Sequence, residues 1–482
     1  MRVYRNLLIV IWFLIVPLLN AQEGYALFPK DFPPEEFAQR RLNVMKAIGD
    51  GLALLQGAPS PQGYTRFRQS NEFYYLCGIE SPHAYLLIDG ASQRTTLYVP
   101  HRNEGRERSE GKLLSAEDAD LIKILSGVDA VYPSDLLAEH LGRHARGPER
   151  TVYIPFQPAE GFAMSRDLAV RYNADVASDS WDGGTPRESR FLELVRSRFP
   201  QFTIRDLSPI LDELRLIKSE REIALIRKAT RLSGLALIEG MRSAKPGVYE
   251  YELDAAAKYI FYRNGAQGEA YYSLIASGPN AMFGHYNAGK RRMQNGEWLL
   301  FDFAPDVGYY MADVTRMIPV GGFTPEQREL YEFYLACYKA IIKAIKPGRT
   351  AQSIRQDAVK EMRRILSRTK FSKPLYAQAS NDFVDRYERG SESPSASLGH
   401  WVGMATHDVG RATTLRPGMV FTIEPALRIP EENINIRLED MLLVTDRGVE
   451  NMSAFVPMEV GDIETVMKEP GMVQRYPMDD GR

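Results

Sequence analysis

The stretch LLFDFAPDVGYYMADVTR (Leu299–Arg316) decides how the C-terminal half of this chain is understood. An apolar run ends at Asp302, Gly308 lies in a turn-like segment, and Asp313 precedes a second apolar run. This pattern predicts a strand, a turn and a returning strand, which would bring the two aspartates together. An isolated aspartate in such a loop is usually a turn residue, so a functional interpretation depends on its companions.

Those companions lie in two further blocks. SLGHWVGMATHDVG (Ser397–Gly410) contains His400, and the segment Phe421–Asp440, with the runs FTIEPA and INIRLED, contains Glu424 and Glu439. A carboxylate on an apolar strand is costly to bury unless it binds a cation. Both glutamates are therefore candidates for cation binding.

Taken together, these side chains form an oxygen-rich ligand set of four carboxylates and one imidazole. Such a set suits Mn²⁺, Zn²⁺ or Co²⁺ and can hold two ions through bridging carboxylates. Two metals about 3.5–4 Å apart can activate a water molecule and polarise a carbonyl. For Glu439, a salt bridge with Arg437 is an alternative, although residues two apart on a strand share a face and both could serve. The predicted two-metal site comprises Asp302, Asp313, His400, Glu424 and Glu439.

Three histidines lie in this half of the chain, at His285, His400 and His407. A single histidine of this kind is more often a buried, hydrogen-bonded residue than a metal ligand. His400 is the ligand candidate. His285 and His407 are candidates for proton donation or for holding a substrate.

The composition is that of an ordinary globular protein. The chain has 482 residues, 44% hydrophobic and 25% charged, with a formal net charge of -2. This length predicts two or three domains, and this charge balance gives no reason to expect a nucleic-acid partner. The two cysteines, Cys77 and Cys337, lie in apolar stretches and are interpreted as buried free thiols, with a disulfide as the alternative in an exported protein.

The N-terminus has the features of an export signal. Arg2 and Arg5 precede an apolar run from Leu7 to Leu19. This pattern predicts a cleaved signal peptide over residues 1–21, with a buried strand or helix as the alternative. The run is short for a membrane span, and no cysteine follows it that could carry a lipid. We expect a secreted or periplasmic protein without a stable membrane anchor.

Residues 22–205 show strand-like runs that alternate with helical segments, which favours an α/β N-terminal domain. Strands are predicted at Gly51–Leu55, Phe73–Leu76, Ala84–Ile88, Thr95–Val99 and Val152–Ile154, and helices at Phe37–Ile48, Ala116–Leu125 and Ser134–Leu141. The segment Arg146–Arg190, rich in glycine, proline and aspartate, is predicted to be irregular. Residues 206–465 form the second domain, and residues 466–482 a C-terminal tail.

The phrase Lys-Pro-Gly marks a repeat within the second domain. Capping-box patterns at Ser219 and Thr324 each open a long predicted helix. Each helix ends at the repeated phrase, and KPGVYEYELDAAAKYI (Lys245–Ile260) and KPGRTAQSIRQDAVKEM (Lys346–Met362) then lead into another helix. A duplicated helix–KPG–helix unit predicts a domain of two similar halves, with the candidate metal residues between them.

These motifs resemble a known family. The C-terminal half resembles the pita-bread metallopeptidases, and the chain from Phe37 to Val460 resembles their aminopeptidase P and prolidase group. The run YTRFRQSNEFYYLCGIESPHAYLLID (Tyr64–Asp89) is similar to the N-terminal domain of that group, which methionine aminopeptidases lack. The resemblance implies an α/β N-terminal domain and an α+β pita-bread catalytic domain with two pseudo-symmetric halves.

The resemblance also implies a role for each ligand. Asp302 would bind one metal with both oxygens, and Asp313 and Glu439 would bridge the two metals. His400 and Glu424 would complete the other metal. The implied cofactor is a pair of divalent ions, with Mn²⁺ favoured and Zn²⁺ or Co²⁺ as alternatives.

The implied activity is that of an exported Xaa-Pro aminopeptidase, which cuts the bond between an N-terminal residue and a following proline. A metal-bridging hydroxide would attack the scissile carbonyl, with Glu424 as proton shuttle. His285 and His407 would hold the substrate and the tetrahedral intermediate, and Arg437 would support the site. The implied partners are peptides with proline at the second position and further copies of the chain, as a dimer or tetramer.

Two alternatives remain open at this point. One is a prolidase restricted to Xaa-Pro dipeptides, and the other is a non-catalytic binding protein on the same fold. The chain also departs from the family pattern near the site. Ala396 stands where the family usually has a histidine, and Ser391–Ser397 is rich in serine and proline where apolar residues are expected. These departures touch the proline pocket rather than the metal residues.

Overall fold

The structure is a computed structural model, and it describes residues 31–147, 149–161, 164–181, 183–393, 395–411 and 414–476. The predicted signal peptide lies outside these residues. The chain divides into two compact units, with boundaries after residues 162, 168 and 211. The first unit contains the chain up to residue 162 and residues 169–211, and the second contains residues 163–168 and the chain from residue 212 onward.

The first unit is built on one mixed sheet of six strands. In spatial order the strands are Ala130–Pro133, Arg94–Val99, Tyr85–Asp89, Leu52–Gln56, Thr151–Ile154 and Thr203–Asp206. The three strands Leu52–Gln56, Tyr85–Asp89 and Arg94–Val99 pair antiparallel, and the other pairings are parallel. Parallel pairing requires crossover connections, which helices supply, so the predicted α/β class is confirmed.

Helices accompany this sheet, and they lie at Pro34–Ile48, Asn71–Cys77, Glu104–Glu110, Ala119–Ser126, Leu137–Ala145 and Arg187–Arg198. Two more helices, Arg166–Ser178 and Ser208–Leu216, contain unit boundaries. The prediction of a strand at Phe73–Leu76 is wrong, because this run belongs to the helix Asn71–Cys77. All seven residues of that helix are buried, so the run Phe73–Leu76 shows no alternation of apolar and polar residues at helical spacing.

The second unit contains the two predicted helix pairs, one in each half. Its helices are Glu220–Ser243, Glu250–Arg263, Pro325–Ala344, Ala351–Arg368, Pro374–Glu392, Val460–Met467 and Met472–Arg475. Both predicted capping boxes are confirmed at Ser219 and Thr324, whose hydroxyls accept from the backbone N–H groups three residues later at 3.3 and 3.2 Å. Gly247 and Gly348 have φ of +93° and +77°, a conformation that favours glycine and explains why both turns carry the same phrase.

Each helix pair is followed by one three-stranded and one two-stranded antiparallel sheet. The first half has Leu274–Ser277, Trp298–Asp302 and Thr315–Pro319, with the pair Gly268–Glu269 and Pro305–Asp306. The second half has Val420–Ile423, Asp440–Thr445 and Gly448–Asn451, with the pair Ala426–Ile429 and Ile434–Arg437. The prediction of two similar halves is therefore confirmed.

Two further expectations concern cysteines and membranes. Cys77 and Cys337 are both free and buried, as predicted. Among the described residues, no helix combines the length and the apolar character that crossing a bilayer requires.

The segment 466–476 contains the short helix Met472–Arg475, where Gln474 donates a 3.0 Å hydrogen bond to the carbonyl of Ser243.

Candidate metal centre

The first half of the second unit supplies two aspartates from one hairpin. Asp302 is the last residue of the strand Trp298–Asp302 and pairs with Thr315 on the returning strand, two residues after Asp313. The hydroxyl of Tyr271 donates hydrogen bonds to Asp302 Oδ1 at 2.5 Å and to Asp313 Oδ1 at 2.7 Å. The predicted strand–turn–strand pattern is confirmed, and one tyrosine holds both carboxylates.

The second half supplies the histidine and two glutamates. His400 lies beside the strand Val420–Ile423, because its carbonyl accepts from the N–H of Thr422 at 2.9 Å. Glu424 follows that strand directly. Glu439 lies next to the first half, because its N–H and carbonyl are both bonded to the backbone of Thr315, at 3.1 and 3.3 Å. The two halves therefore meet at the backbone of a candidate ligand.

The candidate ligands converge on one point. His400 Nε2 lies 3.5 Å from Asp313 Oδ2, 3.6 Å from Glu424 Oε1 and 3.5 Å from Glu439 Oε1. Ligand atoms within 4.8 Å of one another form three groups, which are Asp302 with Asp313 and Glu439, His400 with Glu424 and Glu439, and Asp313 with His400 and His407. All five residues that the sequence analysis assigns to the metal site are thus brought together in overlapping groups, and His407 lies within ligand distance of two of them.

Arg437 also lies at this cluster. Its guanidinium donates to Asp302 Oδ2, and its Nη1 lies 3.4 Å from Glu424 Oε2. The salt bridge that the sequence offered as an alternative for Glu439 is therefore made instead to Asp302 and Glu424. One guanidinium links a carboxylate of each half.

The crowding of like charges shifts the pKa values of the carboxyl groups. Burial and the negative charge of Glu439 raise the pKa of Asp313 well above its usual range. The same two causes raise the pKa of Glu424 to about 7. Burial alone would raise the pKa of Glu439, but the neighbouring imidazole of His400 and the charge of Arg437 lower it to about 2. The cluster holds more negative charge than its own cations compensate.

The donor set fits divalent cations. Glu439 Oε1 is buried and accepts no hydrogen bond from the described residues, whereas Oε2 accepts one from Thr315 at 2.7 Å. His400 Nδ1 lies 3.3 Å from the carbonyl of Trp401, and a proton on Nδ1 would leave the lone pair of Nε2 directed at the carboxylates. A histidine ligand usually donates its other ring N–H to a backbone carbonyl or a carboxylate in this way. An orphaned carboxylate oxygen, an oriented imidazole and excess negative charge are the features that a cation would satisfy.

The two other predicted histidines have different surroundings. The ring of His407 packs against that of His400, with centroids 4.1 Å apart and ring planes inclined by 35°, and its Nδ1 lies 3.4 Å from Asp167. Burial and the neighbouring His400 lower the pKa of His407. His285 is exposed and belongs to none of the three ligand groups, so its role in substrate binding stays a prediction.

Three residues at this site were missed by sequence reasoning. Tyr271 and Thr315 hydrogen-bond to the carboxylates, and Asp167 contacts His407 from a segment that was predicted to be irregular. Thr315 carried a signal, because it follows Asp313 within the same block. Tyr271 and Asp167 lie far from the candidate ligands along the chain, and nothing in their local sequence marked them.

A cavity of about 420 Å³ opens beside the cluster and reaches His400, His407 and Glu424. Of the four carboxylates, Glu424 alone lines it. Its side chain is 31% exposed, against 8% or less for the other three. Glu424 is therefore the carboxylate that a molecule in this cavity would meet.

Two protein-family models match this chain. A model of metallopeptidase family M24 matches residues 224–446, and a model of the aminopeptidase P N-terminal domain matches residues 37–153. The Xaa-Pro aminopeptidase 3 of Rattus norvegicus is 30% identical over 422 residues, which cover 83% of this chain and 76% of that protein. The chain belongs to metallopeptidase family M24. Within M24 it falls in the aminopeptidase P group.

Other M24 proteins match over nearly the whole chain. The Xaa-Pro aminopeptidase of Haemophilus influenzae is 29% identical over 456 residues, covering 90% of this chain and 97% of that protein. The structure of a putative aminopeptidase P from Bacillus anthracis superimposes with a TM-score of 0.76 at 27% identity, covering 92% of this chain and all of that one. The expected fold, an aminopeptidase P N-terminal domain and a pita-bread catalytic domain, is confirmed, and the chain is a metal-dependent hydrolase.

Proposed function

We propose that this chain is an exported Xaa-Pro aminopeptidase that uses two metal ions. The observation that carries this proposal is the convergence of Asp302, Asp313, His400, Glu424 and Glu439 from both halves on one buried point beside a cavity. The names of the relatives in the aminopeptidase P group favour proline at the second position of the substrate.

The five residues would hold two divalent cations, for which Mn²⁺ is our first choice and Zn²⁺ and Co²⁺ are the alternatives. When bound, the cations would supply an activated water as nucleophile and would polarise the scissile carbonyl. Asp313 and Glu439, whose carboxylates each lie 3.5 Å from His400 Nε2, would help to hold the ions. Tyr271 would keep Asp302 and Asp313 oriented through its two hydrogen bonds.

Glu424 would take up the proton released in the attack. It is the one carboxylate of the set that lines the cavity, which is the position that a general base needs to reach a bound substrate. Arg437 would hold Glu424 Oε2 from 3.4 Å, and Asp167 would hold the ring of His407 toward the cavity. These contacts orient the groups before the substrate arrives.

The test is a peptide panel of Xaa-Pro, Xaa-Pro-Yaa and Xaa-Ala-Yaa with added Mn²⁺. We expect Xaa-Pro-Yaa to be cleaved after its first residue. If the enzyme cleaves the Xaa-Pro dipeptides and none of the longer peptides, the prolidase alternative is established. If the purified protein holds stoichiometric metal but cleaves none of these peptides, the proposal is refuted. If it holds no stoichiometric metal and cleaves none of them, the binding-protein alternative is favoured.

Export is a separate part of this proposal. It depends on the charged start and apolar run of residues 1–21. N-terminal sequencing should show that the mature protein begins near Gln22 or Glu23. A cytoplasmic protein that retains Met1 would contradict the prediction of export. The expected dimer or tetramer can be tested by light scattering of the purified protein.

A further inference from the structure

The cavity beside the metal centre is also lined by residues outside the ligand set. Four of these residues, Arg355, Phe383, Arg386 and Tyr387, line the cavity of about 420 Å³ together, and we call this group the arginine pocket. The two aromatic residues are buried, with exposed fractions of 2% and 7%. The pocket therefore combines apolar walls with two cationic side chains.

Arg355 is held in place by the protein backbone. Its Nη1 donates to the carbonyl of Ser397 at 2.9 Å, and its Nη2 donates to the carbonyl of Tyr387 at 3.0 Å. Its guanidinium also lies 4.1 Å from the centroid of the Tyr387 ring. Gly390, inside the helix Pro374–Glu392, leaves room for it, because a Cβ there would collide with the guanidinium. Glycine is unfavourable inside a helix, so its presence here keeps space for Arg355.

No carboxylate of the described residues forms a salt bridge with Arg355 or with Arg386. Asp382, one helical turn before Arg386, forms no salt bridge with it, and Asp385 and Glu388 on the same helix are both paired with Arg363. Among the described residues, Glu424 is the one carboxylate that lines the cavity, and it belongs to the metal centre. The arginine pocket therefore carries positive charge that this part of the protein leaves uncompensated.

We propose that the arginine pocket binds a carboxylate of the peptide substrate, so that the enzyme prefers peptides with a negative charge near the scissile bond. This inference rests on the proposed function. The guanidinium of arginine offers a planar set of donors that matches a carboxylate, and the aromatic walls suit the aliphatic part of a side chain. The carboxylate has two sources, which are a glutamate side chain at the first position and the C-terminus of a short peptide.

Two substrate pairs distinguish these sources. Glu-Pro-Ala-amide against Gln-Pro-Ala-amide tests the side chain, and Ala-Pro-Ala against Ala-Pro-Ala-amide tests the terminal carboxylate. The measured quantity is the ratio of kcat/KM for the anionic peptide to that for its neutral partner. We expect a ratio of about 10 in one pair, on the scale of a charge-assisted hydrogen bond.

Substitutions then assign the preference to the pocket. Arg386 is exposed and makes no hydrogen bond with the described residues, so Arg386→Gln should fold normally and lower the ratio about fivefold or more. Arg386→Glu should bring the ratio below one. Arg389→Gln is the matched control, because Arg389 is exposed on the same helix and does not line the cavity. It should leave the ratio within about twofold of the wild type if general charge is unimportant.

The outcomes separate this inference from the function on which it rests. Cleavage of the neutral peptides with both ratios near one would overturn the inference and leave the proposed function standing. A high ratio that Arg386→Gln does not change, or that Arg389→Gln lowers equally, would also overturn it. If no proline-containing peptide is cleaved, the proposed function fails, and the inference fails with it.

Discussion

Arg316 should be a stabilising link between the two halves of the catalytic unit. Its Nη2 donates to Asp440 Oδ1 at 2.7 Å, and both side chains are fully buried. Its Nη1 donates to the carbonyls of Thr315 and Glu439, each at 2.9 Å. Tyr338 donates to the other carboxylate oxygen at 3.0 Å. The strand of the first half is thus tied to the chain of the second half at a candidate ligand.

Arg316→Met should destabilise the protein by about 3–5 kcal/mol, because it leaves Asp440 buried without its counter-charge. The double variant Arg316→Met/Asp440→Asn should recover part of that loss, because it also removes the stranded charge. Burial would raise the pKa of Asp440, but Arg316 outweighs this effect and lowers it. The stability from this pair is therefore present above the usual carboxyl pKa and is lost as pH falls through the folded-state value.

Urea unfolding of the metal-free protein at neutral and acidic pH measures these differences. The gap between the wild type and Arg316→Met should narrow in acid, where Asp440 becomes protonated. A single variant within about 1 kcal/mol of the wild type at neutral pH would refute the reasoning, since a stranded buried charge costs more than that. A double variant that is no more stable than the single one would show that the charge is not the cause.

Three further predictions concern the site itself. Glu424→Gln should lower kcat by about 10²-fold or more while the melting temperature of the metal-saturated protein changes little, and near-normal turnover would contradict the proton-shuttle role. Tyr271→Phe removes the hydroxyl that bonds to Asp302 and Asp313. Calorimetric titration should show that the variant binds Mn²⁺ about 10- to 100-fold more weakly than the wild type. An unchanged affinity for Mn²⁺ would argue against an orienting role of Tyr271. Ala396 should relax the preference for proline, because the family usually has a histidine at this position and a hydrogen bond lost with that side chain is worth roughly 1–3 kcal/mol. A ratio above about 10³ between matched Xaa-Pro-Yaa and Xaa-Ala-Yaa peptides would show an intact proline pocket.

Local sequence patterns predicted a large part of the fold. The capping boxes fixed the starts of two long helices, and the repeated glycines marked turns that need positive φ. The pattern failed at Phe73–Leu76, where an apolar run without periodicity fits a strand and a buried helix equally well. It also failed within Arg146–Arg190, where the helix Arg166–Ser178 buries one residue, Ala169, and so has little apolar periodicity.

The candidate site was predictable because each ligand lies in a short block with an unusual chemical feature, a charged or imidazole group among apolar and glycine residues. Its supporting residues were not. Tyr271 and Asp167 are separated from their partners by tens to hundreds of positions, and their contacts exist only once the chain is folded. Such contacts depend on packing between distant segments, which local periodicity does not encode.

The two aspartates of the metal site are separated from the cavity that would select the substrate. They are held by Tyr271 in the first half, and these three residues do not line the cavity. The described residues that line the cavity lie between Arg355 and Ala426, in the second half. This stretch includes Ser397, the last residue of the segment that departs from the family pattern. Changes there can therefore alter which peptides fit without touching the aspartates, which is why we place the specificity of this enzyme in the arginine pocket and the Ser391–Ser397 segment.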